Sequence, residues 1–412
     1  MAQHNRRLLV LLLLVIQVSI LIGWWLLAPP KPSPLRLTPV KFSELAGWAE
    51  NDPRAAVATF HRSCDALKKK SPMSSMGGAG YAGSVGDWHG ACAAAPSTAS
   101  SAQTARAFFE NWFAPVAVSA GDVREGLFTG YYEPQLRASR TRHGAYQTPI
   151  YGLPDDLISV DLGQFRDALK GERIAGRVEG HALVPYATRA DIDAKGLDRA
   201  PVLFYGDDPV TVFFLHIQGS GRVVLDDGSV VRVAYAGQNG QPYTAIGRTL
   251  IAQGALTKEN VSLQTIREWL KSNPQNARQV METDKSFVFF SEQPVGDPSL
   301  GSAGSEGVAL TPGASLAVDL RLHPLGAPFF ISTKVPDPDA AKPDRAFNRL
   351  LIAQDTGGAI GGPVRGDVFW GFGKDAEEIA GRMKSHGVLY VLLPKPIAAK
   401  LVPHRDFPES AK

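Results

Sequence analysis

Two carboxylates bracket a glycine-dense turn in Asp355-Thr-Gly-Gly-Ala-Ile-Gly-Gly-Pro-Val-Arg-Gly-Asp367-Val-Phe-Trp-Gly. Gly357, Gly358, Gly361 and Gly362 free the backbone to take positive φ and to approach a ligand closely. Val368, Phe369 and Trp370 then read as a short apolar strand. An acid at a loop-to-strand junction, beside an aromatic, suits the cleavage of a carbohydrate. The same spacing also fits Asp355 as a turn cap and Asp367 as a solvated strand end. Spacing alone leaves both open.

Elements around this turn must position it. Strands are expected near 315–319, 328–332, 350–354, 367–370 and 388–393, with a helix at 376–385 closed by Gly387. Short strands, glycine turns and a single helix suggest a small closed barrel. Upstream, apolar residues recur at helical spacing over 42–67 and 101–113, and 128–132 reads as a strand. From 135 to 285 the pattern is short strands and turns with little helix. There 211–218 reads as a strand, and 222–235 as a hairpin around Asp226-Asp227-Gly228-Ser229. A helix at 261–272 is capped by Ser262. Residues 292–307 are rich in Gly, Ser and Pro and read as loops.

Composition narrows the function. Hydrophobic residues make up 44% and charged residues 20% of the 412-residue chain, as in an ordinary globular body with room for two domains. A net charge of +3 builds no field that would steer the chain to nucleic acid. Arg6-Arg7 precede an apolar run at 8–28, long enough for a spanning helix of about 20 residues with its basic end in the cytoplasm. Prolines follow, with no clear cleavage site, so an uncleaved signal anchor is expected, with a cleaved export signal as the alternative. The rest of the chain then lies outside the cytoplasm, where Cys64 and Cys92 are free to form a disulfide. Two cysteines and histidines without ligand spacing give no metal site, and no cofactor is expected.

Six segments, in order, resemble the membrane-bound lytic murein transglycosylase A family. They are Phe128-Thr-Gly-Tyr-Tyr-Glu-Pro134, His216-Ile-Gln-Gly-Ser-Gly221, Tyr235-Ala-Gly-Gln-Asn-Gly-Gln-Pro-Tyr243, Phe287-Val-Phe-Phe290, Leu316-Ala-Val-Asp319 with Pro324-Leu-Gly326, and Ala353-Gln-Asp355-Thr-Gly-Gly-Ala-Ile360 with Gly366-Asp367. The last part also resembles the small domain named for three aspartates, here Asp319, Asp355 and Asp367. The resemblance implies a mainly β fold with few helices, in which a double-psi β-barrel carries a second, inserted β-domain. The expected division is an anchor at 1–28, a Pro-rich linker at 29–41, the N-terminal part of the barrel domain at 42–134, the insert at 135–285 and the catalytic part of the barrel at 286–405.

The resemblance further implies cleavage of the β-1,4 bond between N-acetylmuramic acid and N-acetylglucosamine in peptidoglycan, leaving 1,6-anhydromuramoyl ends. Asp367 is then the general acid and later the base, with Asp355 in support or merely capping the turn. Thr129, Tyr131, Gln218, Gly219, Ser220, Asn239, Tyr243 and Trp370 are the expected glycan contacts. The Gln218-Gly219-Ser220 step fits a plain tight turn as well, Asn239-Gly240 a turn, and each aromatic a core position. Asp319 is expected to be structural. Arg365, two residues before Asp367, would depress its pKa and so must point away or be outweighed. The expected partners are glycan strands and, through the anchor, the inner membrane of a Gram-negative periplasm. A cell-wall synthesis or division complex is a further candidate. Competing readings are a barrel hydrolase using two carboxylates and a wall-binding protein that cuts nothing.

Overall fold

The computed structural model describes residues 33–169, 172–401 and 406–407. The expected anchor at 1–28 and the first four residues of the expected proline-rich linker, 29–32, lie outside these residues. Among the described residues no helix is long and apolar enough to cross a membrane.

Three strands open the described chain: β1 (Leu35–Pro39), β2 (Phe113–Ala120) and β3 (Glu125–Glu133). Then come β4 (Gln135–Ser139), β5 (Thr148–Tyr151), β6 (Ile158–Asp161), β7 (Arg173–Glu179), β8 (Ala182–Pro185) and β9 (Val202–Gly206). A hairpin of β10 (Ser220–Leu225) and β11 (Val230–Gln238) is followed by β12 (Val288–Gln293). The C-terminal third carries β13 (Ser315–Ala317), β14 (Pro328–Val335), β15 (Arg345–Asp355), β16 (Arg365–Phe372), β17 (Lys384–Pro394) and the short β18 (Asp406–Phe407).

Six of these strands close on themselves in the order β14-β15-β13-β16-β3-β17, with β17 returning to β14. Closure removes the unpaired edges that an open sheet would present. Two pairs in the ring, β13 with β15 and β16 with β3, are parallel, and the others are antiparallel. β3 comes from far upstream, so the barrel is assembled from both ends of the described chain. Alternation along its strands sends Phe128, Leu316, Phe329, Leu351, Val368 and Leu389 inward, where each is fully buried. A second sheet, β12-β11-β10-β4-β9-β5, and a small one, β6-β7-β8, form between the two halves of the barrel sequence.

The mainly β architecture agrees with expectation, but the distribution of helices does not. Residues 211–218 were read as a strand and are part of the helix Pro209–Gln218. Pro209 sits in its first turn, and the Asp208 carboxylate accepts the Val210 N–H as a cap. Six of its ten residues, Val210 and 212–216, are buried and lie on all sides of its axis, so the sequence shows no helical period. Besides the expected helix Leu263–Ser272, the helices Arg189–Lys195, Ile246–Ala252 and Pro274–Met281 also fall in the region expected to hold little helix. The helix expected over 42–67 starts only at Arg54, because Pro53 stands at its N-cap and Gly47 takes a φ of 79° ahead of it. Gly387 closes no helix: the preceding one ends at Arg382, and Gly387 lies within β17 opposite Gly126. A Cβ there would meet the Ser332 carbonyl oxygen at 2.4 Å, so close strand approach is what requires glycine.

The Ser262 hydroxyl accepts the Thr265 N–H and caps its helix, and the Asp226–Ser229 turn joins β10 to β11. Cys64 and Cys92 are bonded across 28 residues and tie the helix Arg54–Leu67 to the helix His89–Ala94. On the chain-entropy account, closing a loop of that length contributes about 3 to 4 kcal/mol. Urea unfolding with and without reductant is expected to show a loss of that order.

Candidate active site

Asp367 is the third residue of β16. It pairs with Thr129 on β3 on one side and with Ala317 on β13 on the other. Its neighbours Gly366 and Val368 are buried in the wall, so its side chain projects to the outer face of the barrel. The Thr129 hydroxyl donates to the Asp367 Oδ1 at 2.7 Å. Two residues further along β3, on the same face, Tyr131 donates its hydroxyl to the Asp355 Oδ2 at 2.9 Å. The other Asp355 oxygen accepts the N–H and the hydroxyl of Ser305, at 3.0 and 2.8 Å. The Tyr131 ring packs on Phe369, with centroids 5.2 Å apart. Strands β16, β3 and β15 and the loop of Ser305 thus bring the two expected carboxylates to a single patch that includes Tyr131.

Burial and nearby charge set the protonation of Asp367. Burial pushes the Asp367 carboxyl from the usual carboxylate range up to about 6. The nearby Arg365 charge and the Thr129 hydrogen bond pull it down, and the charge of Asp355 adds to the rise. Arg365 therefore acts in the direction expected of it, and desolvation outweighs it. Its guanidinium is taken up by the carbonyls of Leu127 and Gly366 and by the Thr129 oxygen. Burial, with help from the Asp355 charge and hydrogen bond, pushes the Tyr131 hydroxyl well above the usual tyrosine range, so it stays protonated and keeps donating. The patch offers one acid whose raised pKa lets it hold a proton up to about pH 6 and a second acid, Asp355, whose oxygens are already engaged.

Thr129 carries a prediction. Its hydrogen bond favours the charged form of Asp367, so Thr129→Val is expected to raise the Asp367 pKa further. The alkaline limb of a kcat/KM profile, which reports the acid in the free enzyme, then moves to higher pH. A limb that stays in place or moves down would contradict the link between the two residues.

The other expected contacts are scattered. Asp319, two residues beyond β13, accepts from the Arg321 guanidinium and backbone N–H and from the Gly362 N–H at 2.9 Å. Burial raises its pKa, but these hydrogen bonds outweigh that and hold it below the usual range. It pins the glycine turn between the two acids. Gln218 ends the helix Pro209–Gln218 and accepts the Tyr132 N–H at 3.2 Å, so the insert is latched onto the strand that carries Thr129 and Tyr131. Gly219 closes that helix with a φ of 79°, and Ser220 opens β10. Tyr243 is exposed on the insert.

Two expectations do not fit their surroundings. Asn239 is completely buried: its amide donates to the Ala187 and Lys285 carbonyls and its oxygen accepts from the Gln241 and Phe287 N–H groups. With every polar group engaged, it is a structural pin rather than a surface contact. Trp370 alternates to the opposite face of β16 from Asp367, where it covers Gly130 and packs on Phe347 at 5.3 Å. Ser305 was not foreseen, since it lies in a Gly/Ser loop with no periodic signal. Nor was Lys384, which sequence distance separates from both acids. A cavity of about 840 Å³ on the insert includes neither carboxylate.

The fold is thus a closed six-stranded barrel, with an aspartate of raised pKa on its outer wall and a long insert within its sequence. Residues 127–291 match the family model for the MltA-specific insert domain, and residues 314–393 match the 3D domain. Membrane-bound lytic murein transglycosylase A of Escherichia coli strain K12 is 32% identical over 276 residues, spanning 66% of this chain and 67% of that protein. A crystal structure of membrane-bound lytic murein transglycosylase from Agrobacterium tumefaciens superposes with a TM-score of 0.78 at 32% identity, covering 89% of this chain and 99% of that one. The structure of E. coli MltA with bound chitohexaose superposes at 0.60 with 26% identity, covering 82% of this chain and 90% of that one. The chain belongs to the membrane-bound lytic murein transglycosylase A family.

Proposed function

We propose that this protein is a lytic transglycosylase that cleaves the β-1,4 bond between N-acetylmuramic acid and N-acetylglucosamine in peptidoglycan. The observation that carries the reading is the single aspartate held near pKa 6 in a desolvated setting, Asp367. Protonated, it donates to the glycosidic oxygen as the bond from that oxygen to C1 of the muramoyl ring breaks. The C6 hydroxyl of the same ring then attacks C1, and its proton passes to the Asp367 carboxylate. No water enters, and the acid ends as it began. Because nucleophile and electrophile belong to one sugar, effective molarities of about 10⁵ M or more replace the bimolecular encounter. The Asp355 carboxylate orients Tyr131 and adds negative potential as C1 becomes cationic.

The two-carboxylate hydrolase reading asks Asp355 to activate water. Both its oxygens are occupied by Tyr131 and Ser305, which argues against that role. We read the barrel as double-psi, with 42–134 and 286–405 contributing to it and 135–285 as the insert. The relatives' description as membrane-bound and the apolar run at 8–28 support a periplasmic enzyme held at the membrane.

Digestion of purified sacculi by the protein, followed by product mass measurement, tests the activity. Muropeptide ends lighter by one water than reducing ends are expected. Ends that accept hydride from borohydride would establish a hydrolase instead.

A further inference from the structure

Lys384 opens β17 directly opposite Thr129, which is itself directly opposite Asp367. Directly paired residues share a face of the sheet, and neighbouring strands lie about 4.8 Å apart, so Asp367, Thr129 and Lys384 form a row about 10 Å long on the outer wall. Lys384 is exposed and, among the described residues, its side chain makes no hydrogen bond or ion pair; the Glu259 carboxylate lies near enough to feel its charge. It is also one wall of a recess of about 470 Å³ whose remaining lining comes from the insert. The floor is apolar, with Phe213, Phe214, Ile246 and Ile266. Arg248, Lys258 and Lys384 rim it with Tyr243, and no carboxylate lines it. Arg248 and Lys258 are exposed and donate no side-chain hydrogen bond among the described residues. Three cations over an apolar floor, beginning one strand from the residue that holds the acid, fit a short chain with several carboxylates and small apolar side chains.

We propose that this recess is a subsite for the acidic stem peptide on the muramoyl sugar, so that the enzyme favours peptide-bearing glycan over bare glycan. The inference rests on the proposed transglycosylase activity and names a specificity element of that site. The cations meet the peptide carboxylates at the rim, and the alanyl methyl groups settle on the floor. Contacts of this kind lower KM without changing the chemical step, since the peptide is bound alike before and during bond cleavage.

The test compares peptide-bearing, uncrosslinked glycan strands with the same strands stripped by an amidase, using the full chain and its Arg248→Ala/Lys258→Ala variant. For the unaltered chain, kcat/KM is expected to be roughly fivefold higher on peptide-bearing strands, the size expected of a few exposed charge contacts. In the double variant that ratio falls toward one through KM, and raising the salt concentration has the same effect on the unaltered chain. A ratio of one in the unaltered chain, or a ratio the double variant leaves intact, overturns the proposal. A separate readout is titration of the Asp367→Asn protein with the free stem tetrapeptide, followed by NMR of the aromatic side chains. Shifts that disappear in the double variant support the subsite, and their absence overturns it. Because this arm needs no turnover, a chain that binds the peptide but cuts neither strand would refute the activity and leave the subsite standing.

Discussion

Asp367→Asn is expected to abolish turnover and stabilise the fold at the same time. An amide cannot donate the proton that lets the glycosidic oxygen leave. General acid–base groups contribute about 10²- to 10⁴-fold, and one group serving both half-steps places the loss at the upper end of that range. The stability effect follows from the raised pKa of about 6 against an ordinary value of 3.8. Between those values the folded chain binds more protons at this site than the unfolded chain, so stability falls as pH rises through the window. Above pH 6 the desolvated charge costs at most about 3 kcal/mol, since each pKa unit corresponds to about 1.4 kcal/mol. The amide retains an oxygen for the Thr129 hydroxyl and carries no charge. Thermal unfolding should therefore show the variant more stable than the parent at pH 7.5, with the gap closing near pH 4. A variant that is inactive but no more stable at pH 7.5 would mean that Asp367 is not held in a desolvated setting.

The legible parts of this molecule are those where local chemistry and fold agree. An Asp-Gly turn between alternating strands made the hairpin visible, a serine before a periodic stretch made the capped helix visible, and two cysteines in a chain read as exported pointed to their bond. The aspartates stood out because they bracket a glycine-dense turn that leads into an apolar strand, a spacing that fits a turn cap and a strand end as well. What stayed hidden depends on tertiary surroundings. The helix Pro209–Gln218 is buried nearly all round, so no polar face marks its period. Asn239 sits in a Gly-Gln-Asn-Gly stretch that reads as a solvent turn, yet the fold wraps it completely. Trp370 lies only three residues from Asp367, and strand alternation sends it to the other face. Ser305 reaches Asp355 across 50 residues, and Lys384 shares a row with Asp367 only because β3 lies between their strands.

Removing Glu133 should have the largest effect on stability. This residue ends β3, four positions beyond Thr129, and is fully buried. Arg222 of β10 and Arg232 of β11 both form ion pairs with it, at 3.0 and 2.6 Å, and Ser302 donates its hydroxyl to Oε1 at 2.8 Å. The arginines also donate to the carbonyls of Val295, Pro298 and Leu300, so one carboxylate organises the barrel strand, the insert hairpin and the loop leading to Ser305. Glu133→Ala leaves two buried guanidinium groups without a counter-charge, for which breaking a buried pair costs about 3 to 5 kcal/mol. Denaturant unfolding is expected to show a loss of that size. Glu133→Gln keeps an acceptor and should lose less. If buried charge is the cause, replacing Glu133, Arg222 and Arg232 together with apolar residues of similar volume recovers much of the stability, because no ion is left unpaired. Activity is not expected to recover with it. Without the cluster the 295–302 loop loses its anchors, Ser305 no longer holds Asp355, and Tyr131 loses the acceptor that orients it beside Asp367. A triple variant that regained both stability and full turnover would show that the cluster supports the fold alone.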